Sequence, residues 1–234
     1  KAFAFDPQGN IYINVGSATN VCQKSGVSGK KLKTCAEAEN FEVGQAQIRK
    51  YSFLSNGKIN PKFEVYAKGL RNSVAILWDE KRNVLLQGEN SRDAIHKLDA
   101  SLSNAELPHD ELNVVEKGKH YGWPYCFDNN RNSPEWTYVD CRGYQKPYAL
   151  LPPHSAPLAM HYYQGKLFPA WYQGRLLVSL HGYEPKGHRI VAFKRNDQGL
   201  PVGVPQSVVW GWDTKGEQKF GSPVGLTEMP DGSD

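Results

Sequence analysis

The sequence lacks any long apolar run: none approaches the roughly 20 consecutive residues that a helical membrane span requires. The residues from Lys1 onward also lack the charged-then-apolar pattern of a secretory leader. Charge of one sign is nowhere blocked. The formal net charge of +4 is spread along the chain, which argues against a dedicated nucleic-acid surface and suits mild attraction for an acidic small molecule. Zinc spacing is missing too, because the four cysteines form no CxxC or Cys/His pattern. They fall instead in two local pairs, Cys22 with Cys35 and Cys126 with Cys141, each closing a short polar loop. Two loop disulfides are expected, and with them an oxidising compartment, periplasmic or extracellular; four reduced cysteines in the cytosol are the alternative.

What is present points to strands. With 234 residues, 39% of them hydrophobic, the chain can bury a sizeable core as one large all-β domain or two small ones. The 22 glycines, 15 prolines, 12 tyrosines and six tryptophans describe short strands and turns better than helices. One pattern recurs, a turn followed by an alternating apolar strand: DPQGNIYINVG from Asp6, DEKRNVLLQGEN from Asp79, PAWYQGRLLVSLHG from Pro169 and an opening MPDG at Met229. Repetition of such units predicts a β-propeller, in which no single unit can bury its faces alone. Further strands are predicted at QAQIRKYSF, KFEVYAKGL and GHRIVAFKR from their period-2 alternation. The stretch at about 91–153 holds a short helical turn and the second cysteine pair, and is expected to be a long loop insertion on one rim. Lys1 enters directly into a strand and the chain stops in a turn, so a propeller truncated at both ends is expected.

From Gly69 the chain reads GLRNSVAILWD, QGENSRD, LPHDELNVVEKGKHYGWPYC, PPHSAPLAMHYYQGKLFP, LLVSLHGYEPKGHRIVAF and GSPVGLTEMPDG. In this order, from about Phe3 to the end, the blocks resemble the glucose/sorbosone dehydrogenase family. The resemblance implies a six-bladed β-propeller, present here as an incomplete fragment of about four blades. It also implies oxidation of an aldose or related sugar by pyrroloquinoline quinone (PQQ) with calcium, the electrons passing to an external acceptor that the sequence does not identify.

The resemblance assigns roles to particular residues. Arg71 and Asn72, at the start of a strand after a Gly-Leu turn, are expected to contact the quinone oxygens, where a fixed guanidinium stabilises developing charge. A solvated or ion-paired surface arginine is the other reading. Calcium, which takes six to eight oxygens, is expected at Glu111 and the backbone of Tyr121, with Asn90 and Asp93 as a second cluster; merely solvated acidic loop residues are the alternative. His154 in the HSAP loop, His181, Lys186 and Arg189 are expected to meet the three carboxylates of the cofactor, against the simpler reading of a basic, solvent-facing turn.

Two departures stand out. Where relatives carry an arginine before Pro-Val-Gly, this chain has Ser222. The family's general base, a histidine, is expected just upstream of Lys1, and none of His96, His109, His120, His154, His161, His181 or His188 takes its place. No catalytic residue is therefore assigned, and residues 1–234 alone are expected to be inactive. The rival readings are a non-enzymatic propeller that binds a protein or glycan, and a calcium-dependent hydrolase of the lactonase kind.

Overall fold

The computed structural model describes residues 2–22, 34–40, 44–182, 186–212 and 221–233. The chain is all-β with almost no helix, and divides into two compact units, Lys1–Pro153 and His154–Asp234.

In the first unit, β1 (Phe3–Phe5), β2 (Ile11–Val15), β3 (Gln47–Phe53) and β4 (Ile59–Lys68) form an antiparallel meander in that order. The Asp6 turn shows how the sequence starts it. Asp6 Oδ1 accepts the backbone N–H groups of Gln8 and Asn10 at 3.0 and 2.8 Å, while Gly9 takes the positive φ of +79° that a side chain would resist. A single helical turn, α1 (Ala36–Glu39), follows Cys35.

The second sheet contains β5 (Ser73–Asp79), β6 (Val84–Glu89) and β7 (His109–Val115). After the small hairpin of β8 (Cys126–Phe127) and β9 (Arg131–Asn132), β10 (Ala149–Pro153) pairs with β7 to give the order β10-β7-β6-β5. The expected insertion at 91–153 is thus interrupted by two integral strands, and the excursions off the sheet are 90–108 and 116–148. Strand β7 is hard to recognise because Asp110, Glu111 and Asn113 are buried polar residues where alternation would call for apolar ones. Short 3-10 turns lie in these excursions at Ile95–Lys97, Pro134–Trp136 and Cys141–Gly143.

Among the described residues two apolar clusters hold the unit. Tyr12, Ile48 and Ala67 from the first sheet and Leu70 just after it pack with Leu85 and Val115 from the second, and the Tyr12 ring stacks on Trp78 with centroids 5.0 Å apart. The other core forms around the bonds Cys22–Cys35 and Cys126–Cys141, the pairing expected from the sequence. Both disulfides share one cluster with Trp123, Tyr125 and the fully buried Trp136. The Tyr125 hydroxyl accepts the Cys35 N–H at 2.8 Å and donates to Glu39 Oε1 at 3.0 Å.

In the second unit, β11 (Pro157–Tyr162), β12 (Leu176–Leu180), β13 (Arg189–Arg195) and β14 (Pro201–Trp210) make a third four-stranded antiparallel meander. Its central strand β12 is buried along its whole length. The buried Tyr163 hydroxyl accepts the Phe168 N–H and donates to the Gly232 carbonyl, tying the last described segment to the sheet. Among the described residues no helix is long and apolar enough to cross a membrane.

Two outcomes are expected. Replacing Cys126 and Cys141 together by alanine removes a crosslink spanning 15 residues and lowers unfolding stability by about 2–4 kcal/mol in a denaturant titration. The second outcome concerns pH. Glu39 is held down to about 2, chiefly by the His120 imidazole 3.5 Å away, against its burial, and further by Tyr125 and Lys68. A carboxyl depressed in the fold contributes stability above its ordinary range near 4.5 and loses it as pH falls toward 2. The variant E39Q is expected to be less stable than the parent at neutral pH, with the difference closing on acidification through that window.

Candidate functional site

The junction from β4 to β5 sets the first part of the site. Gly69 has φ +69°, and a side chain there would overlap the His120 ring. Leu70 is buried, with its N–H bonded to the Ala46 carbonyl. The chain then turns outward at Arg71 and Asn72, fixed from below by Ser17, whose N–H donates to the Arg71 carbonyl at 2.7 Å.

The end of β6 fixes the same turn from the side. Glu89 is buried opposite Ser73 on one neighbouring strand and Glu111 on the other. Its Oε1 accepts the Asn72 N–H at 2.8 Å; its Oε2 accepts the Ser73 hydroxyl at 3.1 Å and the Gln87 amide at 2.7 Å. Asn113 donates to Gln87 Oε1 at 2.9 Å and to Glu111 Oε2 at 3.2 Å. A buried hydrogen-bonded chain therefore runs from Glu111 across three strands to the backbone of Asn72.

Past Glu89, residues 90–94 form a loop pinned on every side. The Arg71 guanidinium donates through Nη1 to the carbonyls of Asn90 (3.0 Å) and Ser91 (2.8 Å), and through Nη2 to the Asp93 carboxylate (3.2 Å). Ser91 donates its N–H to Asp110 and its hydroxyl to the His109 carbonyl. Arg92 makes a buried ion pair with Glu135, and the Asn20 side chain both accepts from and donates to the Asp93 backbone, at 2.9 and 2.8 Å. Arg71 Nε and Asn90 Oδ1 are buried without a hydrogen-bond partner.

A small cavity of about 20 Å³, roughly the room for one water molecule or one bare cation, is lined by Arg71, Glu89, Ser91, Arg92, Glu111 and Tyr121, among others. Burial pushes the Glu89 carboxyl up to about 7 and that of Glu111 well above the carboxylate range, with the neighbouring Glu89 adding to the second effect. Of the four expected calcium ligands, Glu111 and Tyr121 share this cavity. Asn90 presents its unpaired buried oxygen nearby in sequence, whereas the Asp93 carboxylate is two-thirds exposed and bonded to Arg71. Among the described residues no three His, Cys, Asp or Glu side chains cluster as metal ligands.

The four remaining expected residues lie in the second unit. His181 follows β12, and its N–H bonds to the Ala156 carbonyl while Gly182 N–H bonds to that of Ser155. A side chain on Gly182 would overlap the His154 carbonyl, and one on Gly187 would overlap the Gly182 carbonyl. Backbone is thus packed on backbone, which brings the HSAP loop, His181 and the segment beginning at Lys186 together. His181 Nδ1 is buried without a partner. Lys186 is exposed. Arg189 donates through Nε to the Gly187 carbonyl at 2.9 Å and through Nη1 to Ser207 on β14, so it braces its own hairpin. Ser222 lies 2.8 Å through its hydroxyl from His188 Nδ1.

Sequence reasoning passed over Glu89, Gln87, Arg92 and Asn20. The one available signal was an acidic residue ending the apolar run VLLQGE, where a solvated strand end is the ordinary expectation.

The family model described as Glucose / Sorbosone dehydrogenase matches residues 1–198. The chain belongs to the glucose/sorbosone dehydrogenase family. An uncharacterized protein of Borreliella burgdorferi is 26% identical to this family member over 245 residues, covering 100% of the chain and 60% of that protein. Among solved structures, an enzyme of carbohydrate-active family AA12 from Trichoderma reesei is similar at 20% identity, with a TM-score of 0.73, over 98% of this chain and 63% of that one. The PQQ domain of a pyranose dehydrogenase from Coprinopsis cinerea, in holo form, gives 20% identity and a TM-score of 0.65, over 95% and 62%. The PQQ-bound aldose sugar dehydrogenase of Streptomyces coelicolor gives 19% and 0.59, over 100% and 53%. These likenesses establish a shared fold, and this chain spans between about half and two-thirds of each relative's length.

The variant N20A removes both bonds to Asp93 and is expected to weaken the local loop by about 1 kcal/mol. Amide exchange at Asp93 is then expected to be roughly fivefold faster in a hydrogen-exchange measurement, with the sheet amides unchanged.

Proposed function

We propose that the protein carrying this chain oxidises an aldose or related sugar by hydride transfer to PQQ, with calcium as the companion ion. The observation that carries this reading is the family match over residues 1–198, joined to a clasped Arg71–Asn72 turn beside which a guanidinium N–H and an amide oxygen lie buried and unpaired. The guanidinium N–H fits an anionic ligand oxygen, and the amide oxygen, an acceptor, fits a cation or a hydrogen-bond donor. Calcium on this reading takes Glu111, a buried carboxylate that accepts from Asn113 and lines the small cavity together with Tyr121. Solved relatives described as PQQ-bound, holo and calcium structures support both groups.

When bound, the quinone supplies the two-electron acceptor and calcium the polarising charge. Arg71, its guanidinium fixed by three bonds, supplies positive charge that needs no reorganisation when negative charge grows on a ligand oxygen, and Asn72 adds a neutral donor. His154, His181, Lys186 and Arg189 are the candidates for the cofactor's carboxylates. Glu111, the Tyr121 carbonyl, Asn90 and Asp93 are the candidates for the ion. Proton removal from the sugar hydroxyl needs a base in hydrogen-bond reach, and none of the seven histidines is assigned that role.

On this reading the three four-stranded meanders are blades of a six-bladed propeller, of which the chain supplies about four. The two disulfides support a periplasmic or extracellular setting. A second reading, a propeller that binds a protein or glycan without cofactor, is favoured by Ser222, whose hydroxyl engages His188 where relatives carry a cation.

Loading the whole protein with PQQ and calcium is expected to give protein-bound quinone absorbance and sugar-dependent dye reduction. The variant R71A is expected to weaken quinone binding about 10- to 100-fold, the range set by losing charge-assisted hydrogen bonds. Absence of both signals at saturating quinone and calcium would select the binding-module reading.

A further inference from the structure

We infer that Glu89 is a positioning residue for the cofactor, a role that rests on the functional reading above. Glu89 is a buried carboxylate to which neither the quinone reading nor the calcium reading assigns a role. Both carboxylate oxygens are occupied, by the Asn72 N–H, the Ser73 hydroxyl and the Gln87 amide, which leaves it poorly suited to serve as a metal ligand although it borders the same cavity as Glu111.

Its bonds have a direction. The Asn72 backbone N–H needs an acceptor because the strand pairing begins only at Ser73, opposite Glu89 itself. With Oε1 of Glu89 in place, the peptide between Arg71 and Asn72 is fixed in orientation, and both side chains leave the turn from a rigid base. The residues that directly follow Glu89 then complete the clasp, since the carbonyls of Asn90 and Ser91 receive the Arg71 guanidinium. One strand end thus controls the backbone of Asn72 and the side chain of Arg71. A hydrophobic residue at 89 could fill the space, but it would free the peptide and strand the Gln87 amide donor in the core. Gln87 also bonds Asn113, and Asn113 bonds Glu111. The same network therefore connects the candidate calcium ligand to the candidate quinone contacts, and a disturbance at Glu89 reaches both.

The test compares E89Q and E89A with the parent in the whole protein, using spectroscopic titration with PQQ at saturating calcium, melting of the cofactor-free protein, and steady-state kinetics with sugar. Glutamine keeps one acceptor for the Asn72 N–H but must oppose a donor at its other position. Quinone affinity is expected to fall about threefold to tenfold in E89Q and more than about 30-fold in E89A. At saturating quinone, kcat is expected to fall while the KM for sugar stays near the parent value. Parent-like quinone affinity in a folded variant would overturn the inference and leave the functional reading intact. Failure of E89Q to fold would also overturn it, by making residue 89 a requirement of the sheet alone. If the parent protein itself takes up no quinone, the functional reading fails, and this inference with it.

Discussion

A sheet that buries polar side chains must satisfy them largely from within, because each buried group left unpaired costs about 1–3 kcal/mol. The second sheet of the first unit lives under that constraint. Ser73, Gln87, Glu89, Glu111 and Asn113 are all buried, and they hydrogen-bond to one another within and across adjacent strands, leaving Asn113 Oδ1 without a partner. Register follows from this as much as from apolar packing: sliding one strand by a residue would send these groups to the other face and leave several without partners. The requirement that stabilises the pairing also positions the turn at Arg71 and Asn72.

Around that sheet the long excursions carry little regular structure, and their order comes from covalent and aromatic ties. Both disulfides enter one cluster with Trp123, Tyr125 and Trp136, so two loops distant in sequence share a single core. Tyr125 joins this core to α1 through its hydroxyl, and Trp123 bonds the Asn20 carbonyl through its indole N–H. Asn20 in turn holds Asp93. The loop that bears the candidate ligands is therefore supported by residues from opposite ends of the first unit, which is how an irregular segment is kept in one geometry.

Much of the fold was legible in the sequence. Strands such as IYINV and LLVSL alternate or run apolar between clear turns, and the Asp6-Pro7-Gln8-Gly9-Asn10 segment states its turn chemistry openly. Local cysteine pairs gave the disulfides. HDELNVV did not read as a core strand, because its buried positions hold the polar residues that ordinarily face water. The candidate site was legible only where a motif pointed to it. Arg71 and Asn72 stand out in GLRN, whereas Glu89 and Asn20 act through partners 17 and 73 residues away, and no local pattern announces a partner at that separation.

The contact of Gly182 with the His154 carbonyl, and of Gly187 with Gly182, has a consequence for how this part of the molecule can vary. Where peptide rests directly on peptide, the separation between neighbouring loops is at its minimum, and any added methyl group acts as a wedge. Diversification of these loops is therefore confined to the side chains flanking the glycines: His181, Lys186 and His188 can exchange chemistry, while the spacing that presents them stays fixed.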